Sequence, residues 1–142
     1  MDAIQAFGKY HIYPKRMGID LMSVSGHKIH GPKGTGALFI KNRTKVKPII
    51  YGGGQQGGMR SGTENVPGFA GFGLATKMVY EDLEARTVRM RAVKDRLTER
   101  LKTLPDVYIN EGEAPHILSV SFVGVRSEVM LHALEAVSYT HL

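Results

Sequence analysis

The most reactive grouping in this chain is Ser25-Gly26-His27-Lys28, which closes a short apolar run and opens a glycine-rich turn. A lysine at the end of a buried strand can be partly desolvated and lose its proton, and a neutral amine condenses with an aldehyde to give a Schiff base. Lys28 is therefore the candidate nucleophile. Taken alone it reads as one of many surface lysines; its surroundings decide otherwise.

Asp2 and Gln5 stand at what the pattern marks as a second strand-to-loop junction, where side chains converge at the carboxyl edge of an α/β sheet. By itself Asp2 is a solvated terminal acid. Together with Lys28, a carboxylate there can pair with a pyridinium nitrogen and an amide can hydrogen-bond a phenolic oxygen. Those two contacts tune a pyridoxal ring as an electron sink.

A third grouping, Gly52 to Thr63, offers many backbone N–H groups, the guanidinium of Arg60 and the hydroxyls of Ser61 and Thr63, all suited to oxyanions. It lacks the Gly-Lys-Ser/Thr ending of a nucleotide P-loop. Gly31-Pro32-Lys33-Gly34-Thr35-Gly36 does not match the dinucleotide fingerprint either, so neither ATP nor NAD is indicated. Of the six histidines only His27 and His30 form a close pair, without a carboxylate at metal-ligand spacing, and no metal site is expected. The basic stretch Arg86, Arg89, Arg91, Lys94, Arg96, Arg100 and Lys102 could follow nucleic-acid phosphates. Glu84, Asp95 and Glu99 are interleaved and no aromatic residue accompanies it, which favours a solvated helix face.

The elements that must position these residues follow from pattern. Asp20 to Ser25 and Gly36 to Ile40 read as buried strands, joined by a loop of residues that allow tight backbone paths. Ile49-Ile50-Tyr51 leads into the glycine loop. Ser61 with Glu64 predicts a capping box, and Pro67 fits a first helical turn. Phe69, Phe72, Ala75, Met78 and Val79 then recur at helical spacing. The helix continues through Leu83, Val93, Leu97 and Leu101, with a break expected near Arg86-Thr87, and stops before Pro105. Val107 to Ile109 and His116 to Phe122 predict strands, and Ser127 is placed as the cap of a short helix carrying Val129, Leu131 and Leu134. This order suggests the end of one α/β domain, a connecting helix and the start of a smaller α+β domain.

The 142 residues suit one domain or a piece of a larger one, and with 42% hydrophobic and 23% charged residues the chain should be globular. A net charge of +6 biases it towards anions without choosing among them. The absence of cysteine excludes a disulfide framework, a thiolate metal site and any thiol nucleophile carried by this chain. No apolar run approaches the ~18 residues a bilayer demands, and no leader pattern opens the chain; a cytoplasmic location is the expectation.

Three segments carry a resemblance. Asp2-Ala-Ile-Gln-Ala-Phe-Gly-Lys9, Asp20-Leu-Met-Ser-Val-Ser-Gly-His-Lys-Ile-His-Gly-Pro-Lys-Gly-Thr-Gly-Ala37 and Gly52-Gly-Gly-Gln-Gln-Gly-Gly-Met-Arg-Ser-Gly-Thr-Glu-Asn65 closely resemble the cysteine desulfurases, pyridoxal-phosphate enzymes of the class V aminotransferase group. The resemblance covers Asp2 to about Glu135 and implies part of the aspartate aminotransferase-like large domain over 1–75. A connecting helix over 76–104, the start of the small domain over 105–135 and an extraneous tail over 136–142 complete that division. Residue by residue, Lys28 matches the lysine that binds the cofactor and later moves protons, Asp2 the partner of the pyridine nitrogen, and Gln5 the partner of the ring oxygen. Ser25 and His27 match residues holding the cofactor phosphate, and Thr63 the threonine that reaches the phosphate of a neighbouring subunit, which implies a homodimer. The implied substrate is L-cysteine, the products alanine and an enzyme persulfide, and the sulfur acceptor an iron–sulfur scaffold or a tRNA-thiolation pathway.

The chain departs from that pattern where the upstream large domain and the cysteine-bearing loop would stand, and it contains no cysteine at all. The expectation is a truncated piece, with Met1 an internal residue, that does not complete sulfur transfer alone. A selenocysteine lyase or related class V enzyme stays open as an alternative. So does a non-catalytic module that binds a partner or RNA through its basic helix.

Overall fold

The computed structural model describes residues 1–138; the part of the expected tail from 139 to 142 lies outside them. The chain divides into two compact units, Met1–Leu83 and Glu84 onward.

In the first unit, β1 (Leu21–Ser25) and β2 (Gly36–Ile40) pair antiparallel, with Leu21 opposite Ile40 and Ser25 opposite Gly36. The period-2 alternation of β1 sends Met22 and Val24 inward and Ser23 and Ser25 to the other face. Met22 and Val24 form the core with Ala3, flanked by Phe7, Ile12, Ile19, Phe39 and Phe72. The expectation that both strands are buried holds for β1 only. Gly36, Ala37 and Leu38 are exposed, because β2 pairs on one side only among the described residues and just Phe39 reaches the core cluster.

Helix α1 spans Val66–Glu81. Its cap is Asn65, whose side-chain oxygen accepts from the Gly68 N–H at 3.1 Å, not Ser61. Ser61 is buried beneath the loop, its N–H donating to the Ile50 carbonyl, and stands too far upstream to reach the first helical turn. Pro67 occupies the first turn as its fixed φ allows. The helix expected to break near Arg86-Thr87 is two helices that part at Asp82. Asp82, with φ −127° and ψ 30°, ends α1, and α2 runs Leu83–Leu101. The break thus falls at a weak helix former ahead of the buried Leu83, while Arg86 and Thr87 remain helical.

The second unit holds most of α2, the antiparallel pair β3 (Val107–Asn110) and β4 (Ser119–Phe122), and α3 (Ser127–Ser138). In β4, Val120 and Phe122 are half-buried and Ser119 and Ser121 exposed, as their alternation predicts; the strand starts at Ser119 rather than His116. Ser127 is the first residue of α3 rather than its cap, and Val129, Leu131 and Leu134 are exposed. No helix among the described residues is long and apolar enough to cross a membrane.

Candidate functional site

Immediately after β1, Gly26–Ile29 form one 3-10 turn, closed by His30 in the left-handed region, whose N–H donates to the Gly26 carbonyl. Three residues per turn put Gly26 and Ile29 on one side, where both are buried, and so turn His27 and Lys28 to solvent. The expectation that this chain itself desolvates Lys28 is therefore not met: Lys28 is exposed. Its backbone carbonyl accepts from the Lys9 ammonium at 3.2 Å, which ties the turn to the first segment of the chain.

Gly26 has a steric duty. A Cβ there would stand 2.6 Å from Thr35 Oγ1, 3.1 Å from the Pro32 carbonyl oxygen and 3.2 Å from the ring of Phe72. The turn is thereby pressed between the buried Thr35, whose hydroxyl donates to Pro32 at 2.7 Å, and helix α1. Only a residue without a side chain fits.

Ser25 Oγ and His27 Nδ1 stand 2.7 Å apart, a hydroxyl–imidazole pair at the mouth of the turn. Asp2 joins this end of β1 through a parallel bridge to Ser23, with the Ala3 N–H donating to the Ser23 carbonyl at 3.0 Å. Ser23 and Ser25 lie two residues apart on one strand face, ~7 Å along it. The Asp2 carboxylate accepts from the Ile4 N–H at 2.9 Å, which starts the turn bearing Gln5. Asp2, Ser25, His27 and Lys28 are thus gathered around the carboxyl end of β1. Gln5 is exposed on the adjoining turn, and Thr63 is exposed on the separate loop before α1, its side chain hydrogen-bonded to none of the others.

The glycine loop is exposed over most of its length. It is shaped by the Gly62 N–H donating to Gln55 Oε1 at 3.1 Å, and Arg60 Nη1 donates to the Ser61 carbonyl at 3.0 Å. A cleft of about 670 Å³, lined by Lys94, Tyr108, Glu111 and Pro115 among others, lies wholly within the second unit and includes none of the expected site residues. Among the described residues no three His, Asp or Glu side chains gather at metal-binding distance.

One positioning residue was not anticipated. The Tyr80 hydroxyl accepts from the Gly8 N–H and donates to the Tyr10 carbonyl, both at 3.3 Å, and its ring meets Phe7 edge-on at 5.5 Å. It ties α1 to the segment just after Asp2 and Gln5. The signal was present, since Tyr80 follows Phe72 by eight residues and so lies on the same helical face. Burial raises its pKa above the ordinary value, opposed in part by the hydrogen bond from Gly8. Because the folded pKa is the higher one, the stability that Tyr80 contributes is fully present below about pH 10 and is lost as pH rises through the folded value. Urea unfolding at pH 8 and pH 11 is expected to show a steeper alkaline loss for the wild type than for Tyr80→Phe. Parallel losses would remove the hydroxyl from this role.

The donor set fits pyridoxal phosphate: an accessible primary amine, a carboxylate held two strand residues away, and a hydroxyl–imidazole pair suited to an oxyanion. The sequence profile described as aminotransferase class-V matches residues 1–138. "Cysteine desulfurase IscS" of Edwardsiella ictaluri is 43% identical over 140 residues, covering 95% of this chain and 35% of that protein; the counterpart from Serratia proteamaculans gives the same figures. The NifS-like protein from Rickettsia africae superposes with a TM-score of 0.91 at 33% identity, over 95% of this chain and 38% of its own. The chain thus spans about a third of the length of the relatives it matches, and it carries part of their mixed α/β, aminotransferase-like fold. With both the profile and the superposition running through nearly all of it, the chain belongs to the aminotransferase class-V family, where it is similar to the cysteine desulfurases.

Proposed function

We propose that this chain is the lysine-bearing portion of a pyridoxal-phosphate-dependent cysteine desulfurase acting on L-cysteine. The observation that carries the reading is the accessible Lys28 on a sterically fixed turn, beside the Ser25–His27 pair and the bridged Asp2. When bound, pyridoxal phosphate supplies the electron sink that drains the density left by a departing α-proton. The Lys28 amine holds the cofactor and then moves a proton at Nζ, and the Asp2 carboxylate sustains positive charge on the ring nitrogen. Gln5 orients the ring oxygen, while Ser25 and His27 hold the phosphate through charge-assisted hydrogen bonds. Thr63 serves the phosphate of a second subunit, in a homodimer of the longer protein.

The products are alanine and a persulfide, and since this chain has no cysteine the persulfide forms on a thiol outside it. The chain alone does not finish sulfur transfer. The sulfur passes to an iron–sulfur scaffold or another acceptor protein, in the cytoplasm. The experiment is a titration of the chain with pyridoxal 5′-phosphate, followed by visible absorbance. One saturable equivalent supports the reading; an unchanged spectrum at stoichiometric protein overturns it.

A further inference from the structure

The basic run of α2 looks mixed in sequence but is sorted on the helix. Arg86, Arg89, Val93, Arg96 and Arg100 follow one another at spacings of three and four, so they form one continuous stripe. Fourteen residues separate its ends, ~21 Å along the axis. Two of the three acids lie elsewhere: Glu84 and Asp95 fall on the opposite side, where Asp95 stands a turn from Arg91, while Glu99 flanks the stripe. Arg91, Lys94, Asp95, Thr98 and Lys102 line the cleft against β3, which fixes that side as the one facing the strand.

The stripe faces the other way. Arg89, Arg96 and Arg100 are exposed and Arg86 half-buried, and none of the four is held in an ion pair among the described residues. Arg86 next to Arg89, and Arg96 next to Arg100, are like-charge neighbours, which cost an isolated helix a few tenths of a kcal/mol each. Of the four, only Arg96 has an acid one turn away within the helix, Glu99. At the centre of this charge Val93 is 65% exposed and Leu97 46%.

We propose that this stripe docks an acidic amphipathic helix of a partner protein. Alternating spacings of three and four are the period at which one helix lays a seam along another, with apolar contacts at the centre and charges around them. A row of arginines about four turns long asks for carboxylates at the same spacing, and Val93 with Leu97 asks for an apolar side chain between them. A nucleic acid would leave Val93 and Leu97 uncovered, and α2 has no aromatic residue on which a base could stack. The inference does not depend on cofactor binding.

The test uses the whole chain and a fluorescein-labelled synthetic peptide of three heptads, with glutamates at the positions facing the four arginines and leucine facing Val93. Anisotropy is expected to show saturable binding, weakened about tenfold or more by the double variant Arg89→Glu/Arg96→Glu. A peptide with lysines at the two facing positions is expected to restore binding to that variant. The helix-compatible pair Arg89→Gln/Arg96→Gln should weaken binding in the same direction, so that loss through misfolding is distinguished by unchanged circular dichroism. Arg91→Glu/Lys102→Glu, which changes net charge equally on the other side, should leave affinity within about twofold. Failure of the swapped peptide to restore binding, equal weakening by the control pair, no peptide binding, or tighter stripe-dependent binding of a fifteen-nucleotide oligouridylate would each overturn the proposal.

Discussion

Replacing Lys28 with alanine is expected to abolish the visible absorbance that pyridoxal phosphate gives with this chain, and replacing it with arginine is expected to abolish it as completely. Arginine keeps the positive charge, but its guanidinium stays protonated and does not condense with an aldehyde. The pair of variants therefore separates attraction of the phosphate from attachment of the carbonyl carbon. Neither variant should shift the unfolding midpoint, because the Lys28 side chain is exposed and makes no hydrogen bond among the described residues; its backbone carbonyl accepts from Lys9. Absorbance surviving in Lys28→Ala would transfer the role to another amine. A lowered midpoint would mean that the side chain supports the turn, contrary to the geometry of Gly26–Ile29.

The largest effect on stability is expected at Gly8. Its φ of +72° lies in the left-handed region, and a Cβ there would stand 2.7 Å from Ile29 Cγ2 and 3.1 and 3.2 Å from the two methyl carbons of Val79. Ile29 and Val79 are each only 2% exposed, so neither can withdraw. Gly8→Ala combines left-handed strain with overpacking and should cost ~3 kcal/mol. Gly18 supplies the contrast: its φ is +67°, yet nothing lies within 4 Å of the added carbon. Gly18→Ala should therefore lose only the strain, ~1 kcal/mol. Urea unfolding followed by tyrosine fluorescence measures both, since the chain has no tryptophan. Ile29 ends the turn that carries Lys28, so Gly8→Ala should also weaken cofactor uptake while Gly18→Ala does not. Equal losses at the two glycines would contradict the packing argument.

How far the residues alone announced this arrangement depends on whether the signal was local. The strand ending at Ser25 was legible because period-2 alternation and a terminating glycine are properties of neighbours, and the same holds for the first turn at Pro67. The cap expected at Ser61 rests on its local spacing to Glu64, and that spacing carries no information on burial. Ser61 is buried, which arises only from tertiary contact, and Asn65 accepts from Gly68 instead. The helix break was displaced to Asp82 for a similar reason: burial of Leu83 fixed where the chain had to reorient, and a spacing pattern carries no such information.

The site was legible as a set of residue types and illegible as geometry. That Asp2 reaches the end of β1 follows from a bridge spanning twenty-one residues of sequence, and Tyr80 reaches Gly8 across seventy-two. The exposure of Lys28 could not be read from an apolar run that ends at Ser25, because it is the three-residue period of the next turn that swings the lysine outward. On α2 the order of letters mixes acids with bases, and only winding the chain into a helix brings Arg86, Arg89, Arg96 and Arg100 onto one side.

Of the ten lysines in the chain, Lys28 is the one placed to hold pyridoxal phosphate. The most direct measurement is to equilibrate the chain with the cofactor, reduce with borohydride, digest, and locate the pyridoxyl mass by peptide sequencing in a mass spectrometer. One dominant adduct, on Lys28, is expected. An adduct on Lys9, Lys33 or Lys41, a label spread evenly over the lysines, or no adduct at all would contradict it.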